Sequence, residues 1–317
     1  MKKLLAIVLA FGIAAAAPDT HAQPSSDPAA GLVGSWMLVA AERDGGDEAT
    51  RFRGVRGILI LDGAGNVFEF FSTASRDEPE SPQVDPQRTF ATFGGFWGRY
   101  EADASEARLD FEAETGVSPS IRGLSFSRRY ELDGDRLVIT SGDEPQAQGH
   151  TRWTWSRLPI VENLSPAYRE VVGFWRHIEE RRVDTATGEI QNSSQRAPSV
   201  IVYTPSGFAG VHFPSLGREP FAGPLPTEEE AREGLRGYIG YFGSLGVYPG
   251  EVSHNVLAGI SPGTGAILRR YAEITGDELI VTLQGTAGPD PNDPPSTVTE
   301  VVLRRLSGAE DMLPPTP

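Results

Sequence analysis

The 317-residue chain contains no cysteine. Disulfides, thiol nucleophiles, zinc–thiolate sites and iron–sulfur clusters are therefore excluded. Lysine is nearly absent too, since it occurs only at Lys2 and Lys3, inside a segment read below as a removable leader. A mature chain without lysine has no Schiff-base chemistry. Positive charge is scarce as well: 43 acidic against 28 basic residues give a formal net charge of −15. That balance disfavours nucleic acid and anionic membrane surfaces as partners. The histidines show neither HxH nor HExxH spacing, so no metal is expected, and there is no Gly-x-Ser-x-Gly elbow. No cofactor is implied.

The long hydrophobic run is confined to the start. Met1-Lys2-Lys3 followed by Leu4–Ala17 has the charged and apolar regions of a secretory signal peptide, and it is too short to span a bilayer. Cleavage is expected after Ala22, which places the mature protein in the periplasm or outside the cell, without membrane insertion. Residues 23–30 read as a polar tether.

What the chain does have is itself, twice. FSRRYELDGDRLVIT at Phe126–Thr140 returns as LRRYAEITGDELIVT at Leu268–Thr282, each reading as two strands around a Gly-Asp turn. LVGSW at Leu32–Trp36 returns as VVGFW at Val171–Trp175, and WTWSRL at Trp153–Leu158 as VVLRRL at Val301–Leu306. A period of about 140 residues is too long for a solenoid and suits two domains. The expected division is a signal peptide at 1–22, a first domain at 32–158, a linker at 159–170, a second domain at 171–306 and a disordered tail at 307–317.

Alternation and turn signals predict eight strands in the first copy, beginning near residues 33, 56, 67, 96, 108, 122, 136 and 150, with a long polar loop over 72–88. The second copy repeats the count, with strands beginning near residues 173, 199, 208, 241, 251, 266, 278 and 297. Its one helical signal is Thr227–Tyr241, where Thr227 and Glu230 have capping-box spacing and Gly234, Gly237 and Gly240 limit the length. Eight hairpin-connected antiparallel strands leave two open edges unless the sheet closes. The fold class is therefore all-β: two tandem eight-stranded antiparallel up-and-down barrels, each interior either filled or holding one small ligand.

Gly34-Ser35-Trp36 and Gly173-Phe174-Trp175 on the first strands, with Arg157 and Arg305 on the last, resemble the Gly-x-Trp and basic residue of lipocalins. First and last strands are neighbours in a closed barrel, so each Arg can stack on the buried indole, a contact worth roughly 2 kcal/mol when desolvated. The second copy is similar to the bacterial lipocalin-like domain family over most of 171–306, through VVGFW, SVIVYTPSGFAGVHF, GYIGYFGSLGVYPGEVSHNV and LRRYAEITGDELIVTL. The first copy departs in its middle, where Phe70 and Phe111 stand opposite His212 and His254.

Candidate ligand-binding residues follow from strand parity. His254 shares a face with Val252, Val256 and Ala258 and is expected to point inward, either as a satisfied core histidine or as a ligand contact. His212, on the face of Phe208 and Gly210, is expected to point the same way. In Arg128-Arg129 and Arg269-Arg270 one member must face inward and needs a carboxylate or an anionic ligand. Tyr203, Tyr238, Tyr241, Tyr248 and Tyr271 add aromatic surface. Glu179, Glu180 and Glu273 show no paired spacing. The expected function is binding of a small, mostly apolar molecule, with an anionic group as an option, in the second barrel. The alternatives are an isomerase, cyclase or hydratase using His254, with His212 as an option, and one of Arg269 or Arg270 for general acid–base chemistry, or a side-chain-filled interaction module. The sequence sets no oligomeric state.

Overall fold

The computed structural model of the protein describes residues 30–43, 50–52, 54–73, 85–141, 150–283 and 296–313. The leader and nearly all of the tether lie outside them. In the first copy the strands are β1 (Gly34–Arg43), β2 (Thr50–Phe52), β3 (Arg56–Leu61), β4 (Asn66–Ser72), β5 (Phe93–Asp103), β6 (Arg108–Gly116), β7 (Ser125–Asp133), β8 (Arg136–Ser141) and β9 (Thr151–Arg157). From β3 onward each pairs antiparallel with the next, and β9 returns to β1 with Trp36 opposite Arg157. One edge of β1 is shared: Gly34–Met37 pair with β3, and Ala41–Arg43 pair with the short β2. The closed ring therefore has eight members, β1 and β3 to β9, with β2 continuing the β3 position.

The second copy repeats this plan in β10 (Gly173–Asp184), β11 (Ile190–Ser194), β12 (Val200–Tyr203), β13 (Phe208–Phe213), β14 (Ile239–Tyr248), β15 (Glu251–Ser261), β16 (Ile267–Thr275), β17 (Glu278–Leu283) and β18 (Thr297–Ser307). Again β10 divides one edge between β11 and β12 while β18 closes the other. The protein is thus two closed eight-stranded antiparallel barrels in tandem. Neither β2 nor β11 is expected from sequence, because TRF and the fully exposed IQNSS carry no apolar alternation.

Three short helices interrupt the strands. α1 (Pro86–Thr92) starts inside the stretch that reads as a loop; Asp85 accepts from the Arg88 amide at 2.9 Å, and a proline opens the first turn. α2 (Pro166–Val171) ends the linker. α3 (Glu228–Leu235) has the expected capping box, with Thr227 Oγ1 accepting from the Glu230 amide at 3.2 Å and Glu230 Oε2 accepting from the Thr227 amide at 2.8 Å. It is shorter than Thr227–Tyr241 because Gly237 turns left-handed at φ +66° and the chain enters β14.

The closure motif is built twice. The guanidinium carbons of Arg157 and Arg305 lie 4.0 Å from the ring centroids of Trp36 and Trp175. Each indole N–H donates four residues back, to Leu32 O at 3.0 Å and Val171 O at 2.7 Å. Each arginine also donates to two carbonyls of the segment before the first strand, Arg157 to Val33 and Gly31, and Arg305 to Val172 and Glu170. One cation thus covers the ring and ties the entering chain to the last strand.

An apolar cluster lines the interior of each barrel, and a third lies between the barrels. The third is made by the outer faces of equivalent strands: Ile58, Ile60, Phe68, Phe70 and Trp97 from one barrel meet Val200, Val202 and Phe242 from the other. The ring of Phe68 lies against Gly210, where a Cβ would come within 2.5 Å of it. Trp97 Nε1 and Thr115 Oγ1 both donate to Pro198 O, at 3.2 and 3.1 Å, and Arg176 pairs with Glu114 at 3.2 Å. The C-terminal stretch joins this contact instead of hanging free as expected. Met312 is buried in the cluster, and the Gly63 amide donates to Asp311 O at 2.6 Å. Residues 314–317 lie outside the described set.

Candidate functional site

Strand register places the two interiors in correspondence residue by residue. Glu69 pairs with Phe96 in the first barrel and Val211 with Tyr241 in the second. Phe111 lies opposite Phe126, and His254 opposite Leu268. Arg128 and Arg270 then hold the same position, two residues along from Phe126 and Leu268. In each Arg-Arg pair the inward member is therefore settled: Arg128 and Arg270 face in, while Arg129 and Arg269 face out.

In the first barrel the inward arginine is a plug. Arg128, 7% exposed, places Nη1 3.0 Å from both carboxylate oxygens of buried Glu69. The rings of Phe96, Phe111, Phe126 and Trp153 surround its guanidinium, with centroids 4.9 to 5.6 Å from the central carbon. Desolvation of both charges is offset by their pairing and by the ring faces. This interior is filled and electrically closed.

The second barrel keeps the arginine and changes its surroundings. Glu69 becomes Val211, Phe126 becomes Leu268, Tyr130 becomes Ala272, Trp153 becomes Val301 and Trp155 becomes Leu303, so bulk and the counter-charge are both lost. Phe96, Phe111 and Leu61 become Tyr241, His254 and Tyr203, so polar atoms are gained. Tyr241 Oη and His254 Nδ1 are hydrogen-bonded at 2.8 Å, and the Tyr203 ring lies 5.5 Å from the imidazole, centroid to centroid. His254 Nε2 and the Tyr203 hydroxyl, both buried, have no hydrogen-bond partner among the described residues. Half-buried Arg270 makes one hydrogen bond, from Nη1 to Arg269 O at 2.9 Å, and forms no ion pair among the described residues. A buried polar atom without a partner costs about 1–3 kcal/mol, so this cluster is held at some expense to the fold.

Burial, helped by the positive charge of Arg270, pushes His254 down to about 3 and keeps the imidazole neutral. Burial raises the phenols of Tyr203 and Tyr241 above their ordinary range, with Arg270 acting in the opposite direction on each. The guanidinium therefore acts on all three groups. The arrangement offers one fixed cation and neutral hydrogen-bonding groups, within apolar walls. Among the described residues no carboxylate contacts His254, and no group of three metal-ligating side chains is found.

His212 is placed differently from the sequence expectation. Ala209, Val211 and Phe213 line the second barrel, so Phe208, Gly210 and His212 face the first. Nε2 must donate to the carbonyl of Glu69, at 3.0 Å, and Nδ1 accepts from the Tyr238 hydroxyl at 2.6 Å. Phe68 and Phe70 pack on the ring. Both faces of β13 are buried, so apolar parity does not tell inside from outside. His212 and Tyr238 thus belong to the interface. Arg269 faces outward and pairs with Glu251 at 2.8 Å, and Tyr248 and Tyr271 are exposed.

One inward residue escapes the sequence reading. His177 is buried, with its ring 5.4 Å from that of Phe213 and Nε2 without a partner among the described residues; burial lowers its pKa. Its signal was available, since it follows Trp175 at the strand period. Separately, a cleft of about 480 Å³ opens between the barrels beside Met37, Val55, Phe242 and Leu257, with Arg56 donating across it to Leu257 O at 3.2 Å.

The chain matches no protein-family model and no curated protein. Among solved structures it is similar to a DUF3598-family protein of unknown function from Nostoc punctiforme, at 9% identity, covering 87% of this chain and 97% of that one, with a TM-score of 0.21. It is also similar to a Trp-176-Ala mutant of transferrin binding protein B from Haemophilus parasuis, at 7% identity, 84% and 62% coverage and a TM-score of 0.18. Likenesses at these scores carry no weight in the reasoning that follows.

Proposed function

We propose that the second barrel binds one small, mostly apolar molecule and that the first barrel is its structural partner. The supporting observation is the replacement of Tyr130, Trp153 and Trp155 by Ala272, Val301 and Leu303 at matching lumen positions, beside polar atoms of Tyr203 and His254 that have no partner among the described residues. A barrel of eight strands has room for one such ligand when its side chains do not fill it. The filled interior of the first barrel is the contrasting case in the same chain. On the reading of Met1–Ala22 as a leader, the protein works after export, as a lipocalin-like carrier or sensor. The enzyme reading finds no supporting observation among the described residues, where His254 has no acidic partner, and the ion-pair plug is seen in the first barrel.

The test restores the missing bulk. The neutral fluorophore N-phenyl-1-naphthylamine should bind the wild-type protein, and the Ala272→Tyr/Val301→Trp double variant should lose that binding while keeping its far-ultraviolet circular dichroism. Undiminished binding by the refilled variant would place the fluorophore elsewhere and remove this reading.

A further inference from the structure

The two barrels place an arginine at one equivalent position and treat its charge in opposite ways. Arg128 is neutralised inside the protein by Glu69; Arg270 stands opposite a wall that carries Val211 at the corresponding place. No other acid of the described residues pairs with it. The same lumen holds two buried polar atoms, Nε2 of His254 and the hydroxyl of Tyr203, each without a partner among the described residues. An inward cation and two unsatisfied polar atoms sharing one apolar lumen call for an acceptor-rich group.

We propose that the ligand of the second barrel is an apolar carboxylate, its anionic group received by Arg270 together with Tyr203 and His254, in the role that Glu69 plays for Arg128. This rests on the binding reading above and adds the chemical class. Glu69 shows how a carboxylate meets this arginine: two oxygens at 3.0 Å from one guanidinium nitrogen. The apolar remainder lies against Val211, Leu268, Ala272 and Val301, where the first barrel holds Glu69 and the three aromatic side chains Phe126, Tyr130 and Trp153. A planar carboxylate suits the guanidinium fork, and a neutral alcohol of the same length offers nothing to the charge.

The full-length protein, stripped of ligand by unfolding and refolding, would be titrated with dodecanoate and with dodecanol in competition with N-phenyl-1-naphthylamine. Dodecanoate should bind about tenfold or more tightly than dodecanol, as expected for a charge-assisted contact. Arg270→Gln should remove that preference, and outward-facing Arg269→Gln should retain it. Val211→Glu, which supplies the first barrel's own carboxylate, should exclude dodecanoate; should that variant fail to fold, Arg270→Gln decides alone. Equal affinity for acid and alcohol, or a preference that survives Arg270→Gln, overturns the carboxylate and leaves apolar binding standing. Displacement by neither compound overturns both.

Discussion

Acid should weaken this protein well above the pH at which carboxylates protonate, and His212 allows the effect to be isolated. Burial, with a contribution from Arg218, lowers its pKa to about 4, against an ordinary value near 6.5, while the bond to Glu69 O acts in the other direction. The folded chain therefore holds this imidazole neutral where the unfolded chain takes up a proton. Stability from the group is complete above the unfolded value and is lost as pH falls from about 6.5 toward about 4. Linkage gives a loss of about 2 kcal/mol at about pH 5 relative to about pH 7.5. His254, held near 3 by burial and Arg270, adds a similar loss of about 2 kcal/mol over the same interval. Urea unfolding at the two pH values measures the difference. His212→Phe, which installs the residue found at the equivalent Phe70, should lower stability at neutral pH by breaking two hydrogen bonds, yet shrink the pH-dependent difference by about 2 kcal/mol. An unchanged pH dependence in that variant would refute the neutral, interface-buried His212.

Two further perturbations probe the first barrel and the contact between barrels. Glu69→Val should cost about 3–5 kcal/mol by removing the carboxylate paired with buried Arg128, and adding Arg128→Met should recover much of that loss; a double variant no more stable than the single one in thermal melts would contradict this account of the pair. Gly210→Val should cost about 1–3 kcal/mol by driving a side chain into Phe68, and Phe68→Leu in the same chain should relieve it; additive effects in the double-mutant cycle would contradict the close approach.

The repeated segments, the turns and the parity of most strands were sufficient to specify two closed barrels, because a hairpin register and a one-sided apolar face are local properties of the chain. The Gly-x-Trp and terminal arginine likewise named their own contact, since first and last strands of a closed ring must be neighbours. That an inward arginine needs an acid was legible, but Glu69 was not, because β4 is buried on both faces and reading His212 inward puts its equivalent Phe70 in the lumen instead. His254 reads as lumen-facing by alternation, and the structure buries it against Tyr241, for which the sequence set no facing.

What the chain could not state locally is which surfaces the two barrels turn toward each other. ILIL at 58–61 and VIVY at 200–203 are buried on both faces, so their alternation is erased by the neighbouring barrel. That is why His212 reads as a lumen residue and stands in the interface, and why Met312, in a polar tail, packs against the other copy. The choice of inward arginine had the same origin, because adjacent residues in RR differ by one step of register, and a one-step slip exchanges the two faces. Sequence determined the two barrels and the residue types inside them. Only the tertiary structure decided which polar groups meet a partner from the other barrel and which, in the second barrel, meet none among the described residues.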